Sequence, residues 1–548
     1  MKILLTLILI VAIKISSFSQ VFEKEGAGVT IIIHGWNPEG NEPLWMNGMA
    51  NAVISRSGGD GQIGVITVSG SAGNLTATCS DWNFDLGTAT SGEIVVLVNW
   101  TAVANNLTTF VTAQSVAAVV TPKIYETQNG QPALSELPIH LIGHSRGGGM
   151  TYEIARLLGL QGIEVEHLTS LDPHPLTETD PQPVIGTHTI DTPVVIYENI
   201  LFADNYYQNI EFPTGEYVDG TYNRLWTSMT GGYHNEIGYT YNLLWVDYNF
   251  SDHLNIILMY HGTINLTTPE NNGEATITQV ERDNWFNTYE TQGEIEGFYY
   301  SRNILGNRKS TDIPVASGDA IIDGYHNNVL LGGNGVRTNL SWSSAAWPNI
   351  LTLNLVRDSN NLAAGLQVLT LSENLDINFI YRSYANSTDA TFYVDIDRNP
   401  YNSNSTSIQT QNNIATGSII AQSSVNWIVS GLSIGTKYYI YAEINDGTNK
   451  RYIYAPYELY VANPVSVNPI ENSHISIYPN PTVGILNFEF SNNNLKKLII
   501  SDITGKHIIE KSVSKQNEAI DLSNFENGIY ILSIQADNKK FTTKIIKI

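Results

Sequence analysis

The sequence predicts an α/β region, a mostly parallel sheet flanked by helices, followed by two all-β sandwich modules. Three observations predict it. Between residues 20 and 308, short runs that are apolar at every position alternate with longer stretches of helical character, as strands buried on both faces require. From about 309 to 463 helical periodicity fades, Ser, Thr, Asn and Tyr increase, and turn signals such as Asp446-Gly447 separate short alternating strands. From 464 to 548, Asn480-Pro481 and Asp502-Ile503-Thr504-Gly505-Lys506 read as turns between further short strands.

Residues 1–19 stand apart from the fold. Lys2 is followed by the apolar run Ile3–Ile13, and Ser16, Ser17, Phe18 and Ser19 form a small-residue cleavage region before Gln20. This pattern is that of a cleaved signal peptide, and the run ends at Lys14, too short for a membrane span. In the α/β region the expected strands are Val29–Ile33, Glu93–Val98, Ile139–Ile142, Val165–Leu171 and Thr192–Tyr197. The expected helices are Leu44–Ser55, Ala102–Tyr125 and Gly148–Leu158. In the middle module, Ala390–Val394 and Lys437–Ala442 alternate as half-buried strands.

Composition bounds the function. The 548 residues carry 28 Lys and Arg against 52 Asp and Glu, a net charge of −24. That balance opposes nucleic acid or an anionic membrane surface as the main partner. Cys79 is the single cysteine, so no intrachain disulfide can form and burial must stabilise the fold.

The chemistry concentrates in Gly143-His144-Ser145-Arg146-Gly147, which follows the strand Ile139–Ile142 and precedes a helical stretch. A serine on a sharp strand-to-helix turn needs flanking glycines, and the turn lifts its hydroxyl clear of the sheet. His34-Gly35-Trp36 ends the strand Val29–Ile33. The loop after such a strand supplies the second backbone N–H of an oxyanion hole, so the amides of Trp36 and Arg146 are the candidate donors. An acid should follow Ser145 and precede the base. Asp172, in Leu171-Asp172-Pro173, and Asp204, after the next strand, both satisfy that order. For the base, His253 in Ser251-Asp252-His253-Leu254 opens an apolar helical run; His234 and His261 are the alternatives. His140, His144, His167 and His174 read as packing or hydrogen-bonding groups. No HExxH or Cys/His spacing occurs, so no metal and no cofactor is expected. Asp395, Asp397 and Asn402 fall short of an EF-hand spacing and read as a solvated turn.

On these residues the region from about 21 to 308 resembles an α/β-hydrolase of the lipase/esterase type. The order His34-Gly35-Trp36, Gly143–Gly147, Leu171-Asp172-Pro173, His253 is similar to that of pancreatic-lipase-like enzymes, and Tyr260-His261-Gly262-Thr263-Ile264 to the ending of bacterial relatives. The resemblance implies a Ser145–His253–Asp172 triad acting on carboxylic esters, acylglycerols or related lipids first among them. Two departures are the absence of disulfides and of a recognisable lid between Asp172 and His253. That spacer holds Tyr206, Tyr207, Trp226, Tyr233 and Trp245, which could line an acyl pocket or serve the core. A catalytically degenerate surface adhesin, a peptidase and a polyester depolymerase stand as alternatives on the same fold.

The middle module is similar to fibronectin-III-like sandwiches. The C-terminal stretch resembles a type IX secretion sorting domain. The matching residues are Tyr478-Pro479-Asn480-Pro481-Thr482, Asp502–Lys506, Ile520-Asp521-Leu522-Ser523 and Asn527-Gly528-Ile529-Tyr530. This implies passage through the type IX machinery to the cell surface or medium, with an ester as the remaining partner.

Overall fold

The computed structural model describes residues 28–37, 42–58, 60–104, 111–176, 190–210, 213–225, 240–243, 246–249, 251–264, 297–300, 338, 340, 346–362, 365–384, 387–415, 417, 420–462, 475–480, 482–490, 494, 496–503, 505–536 and 539–547. The leader 1–19 lies outside them. The chain divides into two compact units. The first comprises the described residues within Met1–Gln367, Asn374–Trp427 and Tyr438–Glu458; the second, those within Val368–Glu373, Ile428–Lys437 and Leu459–Ile548.

The first unit is built on an eight-stranded sheet. Its strands are β1 (Val29–Ile33), β2 (Gln62–Ser71), β3 (Asn74–Ser80), β4 (Ile94–Asn99), β5 (Ile139–His144), β6 (His167–Leu171), β7 (Ala203–Tyr207) and β8 (Tyr222–Leu225), in the order β3-β2-β4-β1-β5-β6-β7-β8. All neighbours pair in parallel except the hairpin β2-β3. Successive side chains of a strand point to opposite faces, and two cores form accordingly. Ile31, Ile33, Val96 and Val98 pack with α3 (Ala113–Tyr125) and α4 (Arg146–Leu160). Ile32, Val95 and Leu97 pack with α1 (Leu44–Arg56) and α5 (Ser251–Ile264). A short α2 covers Thr101–Ala104.

Two expectations are corrected. Thr192–Tyr197 is not a strand; among its residues only Tyr197 makes an isolated bridge, to Thr338. Side-chain bonds tie the start of this segment to α3 instead, with Gln114 Oε1 accepting from Thr192 N–H at 3.3 Å. The strand beside β6 is β7, Ala-Asp-Asn-Tyr-Tyr, whose buried Asp204 and Asn205 conceal it from a search for apolar runs. Among the described residues the single helix expected over Ala102–Tyr125 is interrupted: Thr101–Ala104 and Ala113–Tyr125 are helical but Val111 and Thr112 are not, and α3 is capped by the Thr112 hydroxyl accepting from Ser115 N–H.

Also in the first unit, antiparallel strands form two sheets. One orders Asn360–Asn361, Asn349–Arg357, Asn374–Arg382 and Ala421–Ile428; in the other Asp389–Asp395 lies between Thr406–Gln411 and Lys437–Asn445. Phe379 of the first and Phe392 of the second meet at 5.0 Å, both fully buried. In the second unit, Lys496–Asp502, His507–Val513, Gly528–Ala536 and Lys539–Lys547 form a four-stranded antiparallel sheet, and Ile475–Tyr478, Ile485–Phe490 and Asn517–Asp521 a three-stranded one. Their alternate residues Phe488, Leu498, Ile500, Ile520, Leu532 and Ile534 share one core.

Candidate active site

Strand order locates the site. After β1 the chain runs out to β2 and the edge strand β3, returns to β4 beside β1, then crosses to place β5 on the other side of β1. Ligands of parallel sheets bind at the carboxyl ends of the strands where this reversal occurs. The two loops leaving that point carry Gly35-Trp36 and Ser145.

Ser145 joins β5 to α4 at φ 57° and ψ −127°, a conformation that costs a non-glycine residue about 1–3 kcal/mol. The Ser145 side chain makes no capping bond to the helix. The backbone holds the turn: Ser145 N–H donates to Leu171 O (2.9 Å), and Ser145 O accepts from Gly148 (2.9 Å) and His174 N–H (3.1 Å). Glycine is required at two contacts. A Cβ on Gly35 would lie 2.5 Å from Ser145 Cβ, and one on Gly147 would lie 2.3 Å from His34 O. The β1 loop and the serine turn therefore interlock through backbone. Arg146 opens α4, so its amide is among those no intrahelical carbonyl accepts.

Asp172 follows β6, fully buried and at φ 46°. Its carboxylate accepts from Gln208 N–H (2.7 Å), Gln208 Nε2 (3.0 Å) and His253 Nδ1 (2.5 Å). Gly215 packs so closely on it that a Cβ there would lie 1.9 Å from Oδ1. Burial raises the Asp172 carboxyl, and the two Gln208 donors oppose that rise. His253 lies in the first turn of α5. Burial pushes its pKa down from 6.5 to about 3, with His174 acting in the same direction, so the resting imidazole is neutral. Its carbonyl accepts from His144 Nε2 at 3.0 Å, and the two rings lie 4.4 Å apart.

The alternative acid Asp204 faces elsewhere. It accepts from His167 Nε2 (2.9 Å), the Thr169 hydroxyl (2.6 Å) and the Tyr206 hydroxyl (3.0 Å), all buried. His167 in turn stacks on His140 at 4.0 Å. Asp204 is thus a core polar group, and the acid joined to His253 is Asp172. His261 sits two turns further along α5, and His234, Trp226, Tyr233 and Trp245 lie outside the described residues. Asp395 accepts from Tyr454 (2.5 Å), and Asp397 from Asn402 (2.9 Å) and Asn404 (2.8 Å). No group of three metal-ligating side chains occurs among the described residues.

Sequence reasoning missed Gln208 and Asp191. Gln208 orients Asp172 from the end of β7, with nothing in its neighbours to mark it. Asp191 forks onto Arg146, at 2.6 Å to Nε and 2.8 Å from the terminal nitrogen. The signal available was a long cation beside a buried serine.

Residues 476–548 match the family described as Secretion system C-terminal sorting domain. The stretch is a type IX sorting domain, and the protein is exported across the outer membrane to the cell surface or medium. Its motif residues tie Asn480 to the C-terminal strand and close local turns. Asn480 Oδ1 accepts from Ile546 N–H (2.8 Å), Asp502 Oδ1 from Lys506 N–H (3.0 Å), and Asp521 Oδ1 from Ser523 N–H (2.8 Å). Over 84 residues the chain is 33% identical to ulvan lyase NLR42 of Nonlabens ulvanivorans, covering 15% of this chain and 16% of that protein. An alignment that spans a sixth of each chain carries no activity from one to the other.

Proposed function

We propose that the protein is a secreted serine hydrolase of the α/β-hydrolase type that cleaves carboxylic esters with apolar acyl groups, acylglycerols foremost. One observation carries the reading: the 2.5 Å bond from His253 Nδ1 to Asp172, beside a serine held in a positive-φ turn at the carboxyl edge of the sheet. In this reading His253 Nε2 takes the Ser145 proton as Oγ attacks the ester carbonyl. Asp172 accepts from Nδ1–H and stabilises the imidazolium. The amides of Trp36 and Arg146 donate to the oxyanion, each typically worth about 3–4 kcal/mol. Collapse expels the alcohol with the proton returned by His253, and water then repeats the sequence on the acyl-enzyme.

The apolar preference is supported by the site's surroundings. The large apolar side chains left exposed in the described part of the α/β region are Leu44, Ile190, Ile210 and Tyr217. Leu44 follows the β1 loop, Ile190 adjoins Asp191, and Ile210 and Tyr217 follow β7 beside Asp172.

The test is hydrolysis of p-nitrophenyl esters of graded chain length by the exported protein. Ser145→Ala should lose ~10⁴-fold or more in kcat, and Asp172→Asn a comparable amount. Asp204→Asn should lower the melting temperature and retain turnover. An active Ser145→Ala protein would overturn the assignment. Labelling of Ser145 by a fluorophosphonate without ester turnover would redirect the search to amide or polymeric substrates, and no labelling would favour an adhesin.

A further inference from the structure

We propose that Asp191 is a positioning residue for the hydrolytic step, holding both oxyanion-stabilising amides in one frame through Arg146 and Trp100. The proposal rests on the serine-hydrolase reading above. Arg146 is 1% exposed, and its guanidinium makes four hydrogen bonds. Besides the fork onto Asp191, it donates to Ala104 O (3.3 Å) and Val111 O (2.8 Å), and its face covers the Trp100 ring at 5.3 Å. Asp191 also accepts from Ala113 N–H (2.7 Å) and Leu176 N–H (3.1 Å). It thereby joins α3 and the segment that follows Asp172 to the start of α4.

From Trp100 the path reaches the β1 loop. Trp100 Nε1 donates to His34 O (2.8 Å), and its backbone N–H to His34 Nε2 (3.2 Å). With Nε2 accepting, Nδ1 carries the proton and donates to Gly35 O (2.8 Å). That carbonyl belongs to the same peptide plane as Trp36 N–H, and a planar peptide fixes the direction of one by fixing the other. The same logic applies to Arg146: its N–H shares a plane with Ser145 O, which accepts from Gly148 and His174. Both amides are therefore aimed by hydrogen bonds on their partner carbonyls. The buried Arg146–Asp191 pair keeps the two loops that carry them at a fixed separation.

The test compares full-length wild type, Asp191→Asn and Trp100→Phe. The readouts are kcat, KM, the pH profile and the affinity for a trifluoromethyl ketone, which binds serine as an oxyanion-bearing hemiketal. Asp191→Asn should lose about 10- to 100-fold in kcat, with KM within about twofold, because misplaced donors act on the transition state alone. Trifluoromethyl ketone affinity should fall in parallel, and the acid limb of the pH profile should stay in place, since His253 is untouched. Trp100→Phe keeps the ring and removes one donor, so a loss of about 3- to 10-fold is expected; it decides the matter where Asp191→Asn does not fold. A folded variant with wild-type kcat and inhibitor affinity, or a kcat loss with inhibitor affinity intact, would overturn the proposal. Wild-type protein that neither turns over esters nor takes a fluorophosphonate would remove the hydrolase reading itself, and the proposal with it.

Discussion

His34 illustrates at the residue scale how the site excludes charge. The ring is buried, donates from Nδ1 to Gly35 O and accepts at Nε2 from Trp100 N–H. Burial pushes its pKa down from 6.5 to about 4, and the Gly35 bond only partly opposes it. On unfolding, the ring regains its ordinary value. Between about 4 and 6.5 the unfolded chain binds more protons, so stability is full above 6.5 and is lost as pH falls through this window. At about 1.4 kcal/mol per unit, His34 accounts for about 3 kcal/mol of that loss. The urea midpoint of wild type should therefore drop more steeply between pH 7 and 4.5 than that of His34→Asn. Parallel curves for the two proteins would contradict the assignment.

At the scale of elements, the glycines around Ser145 make opposite predictions. A Cβ on Gly147 would meet His34 O at 2.3 Å and Ile33 O at 2.7 Å. Both are backbone at or just beyond the end of β1, Ile33 paired on either side and His34 O held by Trp100 Nε1, so the serine turn must move. Gly147→Ala should lower kcat by about 100-fold and lower the melting temperature. Gly149, two residues on in α4, leaves 3.5 Å to Pro175. Gly149→Ala should raise stability by about 0.5–1 kcal/mol through helix propensity. Calorimetry and kinetics on the two variants would show opposite signs, and similar behaviour would mean the turn is not anchored as described. The same elements show what was legible in the sequence. β1, β4 and β5 stood out as runs apolar on both faces, and Gly143–Gly147 marked the serine turn. β7 did not, because Asp204 and Asn205 are buried polar residues whose partners, His167 and Ser170, lie on β6. Chain order admitted both Asp172 and Asp204 as the acid, and the resemblance favoured Asp172. In the structure Asp172 follows β6 and pairs with His253, whereas Asp204 lies within β7 and pairs with His167.

At the scale of the whole molecule, the first unit binds its sandwich strands to the sheet through buried charge. Arg451 donates to Glu166 (3.0 Å), Ser135 O (2.9 Å) and Leu137 O (3.3 Å), and Glu166 also accepts from Ile139 N–H (2.6 Å). Arg382 pairs with Glu164. Asn399 Nδ2 donates to Leu86 O and Ala89 O, each at 2.6 Å. Trp347, Tyr441 and Tyr452 enter the same core as α3 and α4. These contacts gather before and at the amino ends of β4, β5 and β6, so among the described residues the sandwich braces the sheet at the edge opposite Ser145 and Asp172. Removing one partner of a buried pair strands the other charge, which typically costs about 3–5 kcal/mol. Arg451→Leu in the full chain should lose stability of that order. Lys497→Ala breaks a pair with Glu510 whose side chains are 42% and 51% exposed, and should lose at most about 1 kcal/mol. By the same reasoning residues 20–308 alone would lack Arg382 and Arg451, the cations paired with Glu164 and Glu166, and would uncover the aromatic seam. That fragment should be insoluble or unfolded, whereas 20–462 should retain ester turnover. Solubility and circular dichroism of the two fragments check this directly. A folded, active 20–308 fragment would mean that the sandwich is an accessory that residues 20–308 do not need.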